Sequence, residues 1–325
     1  MDRRAFLGTL TGSILAVPLA AISQTRVYRV AVLAQGSTLP AGNPGFLAPA
    51  LRKHGYIEGQ NLILDRRYAE GRNDRFPQLA GDLLVLKPDV IIADSTPGAI
   101  AAKRATATIP IVMVNVSDPV GTGIVESLVH PGGNITGVTD FGTALAVKQV
   151  DLLHELAPKT SRLAVLMSDN PVHPLQLRLI QDAAERIHLT TLPTMVKTEA
   201  DLDEAYASMA KGRAGAVIWL GGAPITTPEQ IAKMIALSAR TKLPTLVPGR
   251  VTVEAGALLS YSTTYEARWA TVAIYVDKIL KGTHPADLPI EQPTRFELVI
   301  NLKTAKALGL TIPQTLLQRA DQVIE

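Results

Sequence analysis

The 325-residue chain has no cysteine, an aromatic content of only 4% and, beyond its N-terminal segment, no long apolar run. The absence of cysteine excludes disulfides, a thiolate nucleophile and a cysteine-bound iron–sulfur cluster. It also excludes a lipid anchor on an N-terminal cysteine. The formal charge is +3 and the charged residues are scattered, so we expect no nucleic-acid partner. We also expect the mature chain not to span a membrane.

Catalytic and cofactor motifs are missing as well. The six histidines lack the spacing of a zinc-binding His-Glu-x-x-His motif. The sequence contains neither the Gly-x-Ser-x-Gly elbow of hydrolases nor a glycine-rich phosphate-binding motif. The nearest glycine cluster, Pro131–Gly137, precedes a predicted strand instead of following one, which is the wrong context for phosphate binding. We therefore predict a non-enzymatic protein that uses no metal and no other cofactor.

The N-terminus has the pattern of a bacterial export signal. Arg3 and Arg4 are followed by an apolar stretch over residues 10–21 and by small residues before a predicted cleavage near 20–24. This pattern predicts a signal peptide over residues 1–23 of the twin-arginine type, with the general secretory route as the alternative. On either route we expect the mature protein in the periplasm.

After the signal, short β-branched apolar runs alternate with amphipathic stretches, and the series restarts near residue 140. Strands that alternate with helices are typical of βαβ units and parallel sheets. We predict an α/β protein of two lobes, each a parallel sheet flanked by helices. The predicted lobes are residues 24–139 with about 262–288, and residues 140–261 with about 289–325. Repeated crossing between lobes predicts a multi-strand hinge that permits closure. The predicted hinge residues are Thr139, Asp140 and Ser262.

The loops that follow the predicted strands are the candidate binding elements. Open α/β sheets bind ligands beyond the carboxyl ends of their strands, and two facing lobes imply a cleft lined by such loops. The candidate ligand contacts in these loops are Gln35, Ser37, Ser95, Thr96, Asp118, Ser168, Asp169, Gly221, Arg250 and Tyr261.

Several of these residues have two interpretations. Ser95 and Thr96 precede a predicted helix that begins at Pro97, where hydroxyl and N–H groups either bind a carboxylate or simply cap the helix. Asp118 stands before a proline and either caps the following turn or faces a ligand ammonium. The residues alone leave both alternatives open.

The remaining candidates are supported by residue type. Gly221 lets the backbone approach a ligand closely. Arg250 can donate two hydrogen bonds to a carboxylate, although arginine side chains are more commonly solvated at the surface. Tyr261 can stack on an apolar ligand or belong to the core.

Several segments resemble a known family. Leu51–Asn61 is similar to the pattern Leu-x-x-x-Gly-Tyr-x-Glu-Gly-x-Asn, and Pro131–Val138 to Pro-Gly-Gly-Asn-x-Thr-Gly-Val. Further similarity lies in Ile109–Val112, Asp118–Val120, Tyr275–Leu288 and Phe296–Gly309. The chain thereby resembles the periplasmic substrate-binding proteins of ABC transporters, of the uncharacterised type related to tryptophan- and phenylalanine-binding receptors.

The resemblance covers nearly everything after the signal. It implies the type I periplasmic binding fold and the delivery of a small solute to a membrane permease. The hydroxyl-rich loops favour an amino-acid-like molecule or another small organic carboxylate. We expect a monomer whose partners are this ligand and the permease. The alternative functions are a periplasmic sensor for a signalling protein and, less favoured, an enzyme on the same fold.

Overall fold

Two β-sheets, each covered by helices, organise the computed structural model, which describes residues 26–37, 45–140, 142–222 and 224–325. The predicted export signal and its cleavage site lie outside these ranges. In the described ranges, no helix combines the length and the hydropathy that crossing a membrane requires.

The first sheet has five parallel strands in the order β2-β1-β3-β4-β5. These strands are β1 (Tyr28–Ala34), β2 (Leu62–Tyr68), β3 (Val90–Asp94), β4 (Ile111–Val116) and β5 (Ile135–Thr139). Its helices are α1 (Leu47–Arg52), α2 (Phe76–Val85), α3 (Thr96–Ala105) and α9 (Tyr265–Leu280). Helices α1 and α9 cover one face and α2 and α3 the other, so the central strands are apolar on both faces.

The second sheet has seven strands in the order β12-β11-β10-β9-β8-β6-β7. These strands are β6 (Arg162–Met167), β7 (Thr190–Met195), β8 (Ala216–Trp219), β9 (Thr245–Val247), β10 (Leu259–Thr263), β11 (Phe296–Asn301) and β12 (Gln322–Ile324). The apolar contacts of one face come from α4 (Gly142–Leu156), α5 (His173–Arg186), α10 (Leu302–Ala307) and α11 (Gln314–Arg319). Those of the other come from α6 (Asp201–Lys211), α7 (Pro228–Thr241) and α8 (Arg250–Glu254).

The predicted alternation of short strands with helices, and its restart near residue 140, agree with the observed elements. The predicted α/β architecture of parallel sheets flanked by helices is confirmed. The short helix α8 and the edge strand β12 were not predicted. Strands β10 and β11 also differ from the expected parallel arrangement, because they pair antiparallel. Since β10 leads the chain out to α9 on the first sheet, β11 brings it back in the opposite direction.

Within the described ranges, the chain passes between the two sheets three times. The first passage follows β5 and the second joins β10 to α9. The third lies before β11, where Glu291 forms a parallel bridge with Val138. Two of the predicted hinge residues, Thr139 and Ser262, lie near the ends of strands at these passages, and Asp140 follows β5 directly.

Candidate ligand-binding site

A cavity of about 270 Å³ lies between the two sheets. The carboxyl ends of β1, β3, β4 and β5 face it from one side, and those of β6, β8, β9 and β10 from the other. This position is the one that open α/β sheets use to bind ligands. This volume lies just below the range of about 300–1,000 Å³ that ligand pockets span, so the cavity suits a small molecule.

Asp94, the last residue of β3, places a carboxylate in this cavity. The Nδ2 of Asn115 donates to its Oδ1 at 2.6 Å, and the backbone N–H of Gln35 lies 3.5 Å from its Oδ2. Burial raises the pKa of Asp94, while the Asn115 hydrogen bond and the charge of Arg268 act in the opposite direction. A buried carboxylate of this kind favours a cationic partner.

Arg268 brings a positive charge to the same cavity from α9 and is only 5% exposed. Its guanidinium carbon lies 4.5 Å from the centre of the Tyr265 ring, a cation–π contact. Among the described residues, its Nε has no hydrogen-bond partner and no carboxylate forms a salt bridge with the guanidinium. A buried guanidinium without a carboxylate partner is suited to an anionic group of a ligand.

A second carboxylate, Asp140, lies at the first passage between the sheets. Its Oδ1 accepts a hydrogen bond of 2.9 Å from the backbone N–H of Gly142. A β-carbon on Gly142 would lie 2.6 Å from the Nε2 of Gln176 and 2.7 Å from the Oγ of Ser117. Because Gly142 has no side chain, the polar groups of Gln176, Ser117 and Asp140 can lie close together in the cavity wall.

Ser95 begins α3 in a backbone conformation that only glycine adopts easily. Its φ of 75° and ψ of 160° lie in this region, which costs other residues about 1–3 kcal/mol. The Ser95 Oγ lies 3.4 Å from the backbone N–H of Gly98, a long capping contact, and the residue lines the cavity. A strained residue held at the start of a helix in a binding cavity is typical of functional sites.

The wall on the second-sheet side combines apolar and uncharged polar side chains. Trp219 and Leu220, at the end of β8, line it together with His173 of α5. The Nδ1 of His173 accepts a 2.9 Å hydrogen bond from the backbone N–H of Ser168. Burial lowers the pKa of His173 to about 4, so this imidazole is neutral at pH 7.

Hydrogen bonds join the two sides at the mouth of the cleft. The Nε2 of Gln35 donates to the Oδ1 of Asn73 at 3.1 Å, and the Nδ2 of Asn73 donates to the Oδ1 of Asp169 at 2.7 Å. The Oγ1 of Thr226 also lies 3.5 Å from the carbonyl oxygen of Gln35. Residues after β1 and β2 thus contact residues after β6 and β8, as in a closed cleft.

Six of the residues predicted from sequence line the cavity. They are Gln35, Ser95, Gly221, Tyr261 and the predicted hinge residues Asp140 and Ser262. Their common feature is a position at or just after the carboxyl end of a strand, which is the criterion by which they were chosen.

The other predicted residues lie elsewhere. Ser37 is half-buried in the loop after β1, Thr96 and Thr139 are buried, and Ser168 binds the ring of His173 through its backbone N–H. Asp169 takes part in the contact at the mouth. The ligand contacts of Ser37, Thr96, Ser168 and Asp169 stay predictions, and so does the hinge role of Thr139.

Asp118 and Arg250 have protein partners. The Oδ1 of Asp118 accepts a 2.8 Å hydrogen bond from the backbone N–H of Gly121, which is the capping role that the sequence left open. Arg250 begins α8 and forms salt bridges with Glu254, Glu266 and Glu297. A ligand role for either residue remains a prediction.

Asp94, Asn115, Gln176 and Arg268 also line the cavity and were not among the candidates. Asp94 and Asn115 end or nearly end their strands and were overlooked beside their neighbours. The signal for Gln176 and Arg268 is a polar residue on the buried face of an amphipathic helix. Gln176 shares its face with Ile180 and Ala183 of α5. In the described ranges, no group of three or more histidine, aspartate or glutamate side chains is arranged to hold a metal.

Comparison with known proteins shows the family to which the chain belongs. The sequence model of the family described as ABC transporter substrate binding protein matches residues 29–324. The chain belongs to this family. The resemblance seen in the sequence motifs is thereby confirmed. The family is one of substrate-binding receptors.

Three relatives of this substrate-binding protein are informative. The tyrosine-binding protein of Clostridioides difficile strain R20291 is 28% identical over 283 residues, which cover 86% of this chain and 80% of that protein. A conserved domain protein from Vibrio cholerae is 28% identical, with a TM-score of 0.81 over 92% of this chain and 100% of that one. The ABC domain from Streptococcus pneumonia in complex with L-Trp is 26% identical, with a TM-score of 0.82 and the same coverage. The type I periplasmic binding fold predicted from sequence is thus shown.

Proposed function

We propose that this substrate-binding protein captures a zwitterionic amino acid between two lobes and delivers it to the permease of an ABC transporter. The observation that carries the proposal is the grouping of two carboxylates, Asp94 and Asp140, with the guanidinium of Arg268 in one small cavity; among the described residues the Nε of Arg268 has no hydrogen-bond partner. An amino acid carries an ammonium and a carboxylate on the same carbon. The ammonium complements the two aspartates, and the carboxylate complements Arg268. The two relatives named for tyrosine and L-Trp support the same ligand class.

Each end of the amino acid has a partner in this arrangement. Its carboxylate pairs with Arg268, beside the Ser95 end of α3, where the positive end of the helix dipole favours an anion. Its ammonium lies against Asp94 and Asp140. The two lobes, taken as residues 24–139 with 262–288 and 140–261 with 289–325, close through the hinge at Thr139, Asp140 and Ser262.

The place of the protein in the cell is part of the proposal. We assign residues 1–23 to a twin-arginine export signal and the mature chain, a monomer, to the periplasm. In that compartment the closed and loaded form is the one that docks on the permease. An amino-acid receptor of this type performs no chemistry on its ligand.

The test is binding of the common L-amino acids to refolded protein, first by thermal shift and then by calorimetry. We expect at least one to raise the midpoint, because a ligand that binds only the folded state stabilises it by about 2.7 kcal/mol at a hundredfold excess over Kd. The decarboxylated amine and the deaminated acid of that ligand should each bind far more weakly. If no amino acid binds, the proposal is wrong.

Two arginine variants identify the carboxylate contact. Arg268→Met should weaken binding at least about thirtyfold, because it removes the buried partner of a charge. Arg250→Met is the matched control, since Arg250 is the candidate from sequence and is already paired with three glutamates. It should change the affinity less than threefold. If Arg250→Met weakens binding and Arg268→Met does not, the ligand carboxylate binds Arg250 instead of Arg268.

A further inference from the structure

The charges of the cavity are distributed unevenly between its two sides. Asp94 ends β3, Asp140 follows β5, and Arg268 belongs to α9, which packs on the first sheet. In the described part of the chain, the second sheet and its helices contribute no aspartate, glutamate, lysine or arginine to the lining. The His173 imidazole on that side is neutral at pH 7. A charged ligand group on the second-sheet side would therefore find no counter-ion on that side.

Gln176 stands out on this uncharged side. It lies on the buried face of α5, is only 5% exposed and lines the cavity. Its Oε1 is fully buried and has no hydrogen-bond partner among the described residues. A buried amide left unpaired costs about 1–3 kcal/mol. The side chain is thus in place to hydrogen-bond a group that the protein itself does not supply.

Other unpaired polar groups line the same side. The Oγ of Ser262 and the Oγ1 of Thr263, both on β10, are buried without a hydrogen-bond partner among the described residues. Leu145, Trp219 and Leu220 contribute apolar surface beside them. The second-sheet side therefore suits a group with an apolar body and an uncharged polar end.

We infer that the ligand's side chain is uncharged, carries a hydroxyl, amide or other hydrogen-bonding group, and pairs with Gln176, which makes Gln176 the residue that selects it. This inference rests on the proposed function, in which Asp94, Asp140 and Arg268 bind the charged ends of the amino acid. Gln176 then rejects an apolar analogue of the same shape, because that analogue leaves the buried amide unpaired. Sites of this design discriminate strongly against a ligand that lacks the polar group.

The test compares isosteric pairs of amino acids by calorimetry. The pairs are L-tyrosine with L-phenylalanine, L-glutamine with L-norleucine, and L-threonine with L-valine, each titrated into the wild type and two variants. Gln176→Met keeps the volume of the side chain and removes its amide. Gln149→Met is the matched control, because Gln149 lines the same cavity but its Nε2 donates to the Tyr261 carbonyl oxygen at 3.4 Å.

We expect the tightest ligand to be a polar member that binds at least tenfold better than its apolar partner. In Gln176→Met this gap should fall below threefold while the apolar partner binds as before, and in Gln149→Met the gap should persist. Thermal unfolding of each variant checks that it is folded.

Three results would overturn the inference and leave the proposed function standing. They are equal binding of both members by the wild type, a gap that persists in Gln176→Met, or equal weakening of both members in that variant. The last result would place Gln176 at the charged end of the ligand, near Asp140. If no amino acid binds at all, the proposed function fails and the inference fails with it.

Discussion

The Nδ2 of Asn73 donates a 2.7 Å hydrogen bond to the Oδ1 of Asp169 across the mouth of the cleft. Asn73 follows β2 of the first sheet, and Asp169 follows β6 of the second. The Oδ1 of Asn73 also accepts a hydrogen bond from Gln35, which lines the cavity. Closure of the mouth is therefore connected to the binding cavity through a chain of three side chains.

Removing this contact should speed ligand release. In Asn73→Ala we expect the dissociation rate to rise about threefold with little change in the association rate, because the hydrogen bond to Asp169 across the mouth is lost. Stopped-flow displacement measures both rates. Asp74→Ala is the control, since Asp74 is the next residue and pairs with the exposed Arg72 on the same side. Equal dissociation rates for Asn73→Ala and the wild type would contradict a role for this contact in closure.

Ser95→Gly should make the protein more stable and a weaker binder. Glycine removes the strain of the φ of 75° and ψ of 160°, so the free energy of unfolding should rise by about 1 kcal/mol. Loss of the hydroxyl should raise the Kd about fivefold or more. Urea unfolding and calorimetry measure the two effects.

The control for Ser95→Gly is Lys242→Gly. Lys242 has a φ of 54° at the end of α7, is exposed and lies outside the cavity lining. This change should also stabilise the protein but leave the Kd unaltered. If Ser95→Gly binds like the wild type, the hydroxyl is not a ligand contact.

Gly142→Ala should weaken binding. A β-carbon there would lie 2.6 Å from Gln176 Nε2 and 2.7 Å from Ser117 Oγ, so these two side chains must move away. We expect at least a tenfold rise in Kd, while the free energy of unfolding changes by less than about 1 kcal/mol, because only side-chain ends have to shift and alanine favours the helix. Gly81→Ala on α2 is the control, because a β-carbon there meets nothing within 4 Å and alanine favours the helix. An unchanged Kd for Gly142→Ala would show that the cavity tolerates a methyl group at this point.

His173 should make the protein less stable in acid. Burial lowers its pKa to about 4, below the ordinary value of 6.5, so the unfolded chain takes up a proton first as the pH falls. Stability should therefore be lost between pH 6.5 and pH 4, by at most roughly 3 kcal/mol from this group. Urea unfolding at pH 7, 5.5 and 4.5 should show a flatter pH dependence for His173→Gln than for the wild type. Parallel profiles would mean that His173 does not contribute.

The sequence predicts the fold well because buried parallel strands and amphipathic helices have different apolar periods. The apolar runs at residues 162–167 and 296–301 predict strands and the amphipathic stretch at residues 265–280 predicts a helix, and these are the bounds of β6, β11 and α9. Helix α8 is only five residues long, too short to show a period, and β12 is a three-residue strand at the edge of the sheet. The antiparallel direction of β11 is not encoded in its own residues, because it depends on where the chain returns after α9.

The site is predicted less completely. Ser95 and Gly221 follow strands directly, so the rule for strand ends finds them. Arg268 and Gln176 are on helices and reach the cavity only because those helices pack beside it. An arginine or glutamine on an apolar helix face is the signal that sequence reading can use for such residues.

Trp219 in the cavity wall makes the protein its own optical reporter. The chain has two tryptophans, and the other, Trp269, packs against the core of the first sheet. A ligand that fills the cavity changes the surroundings of one indole and leaves the other as an internal reference. Occupancy can therefore be followed by intrinsic fluorescence without attaching a dye, and Trp269→Phe would isolate the signal from the binding site.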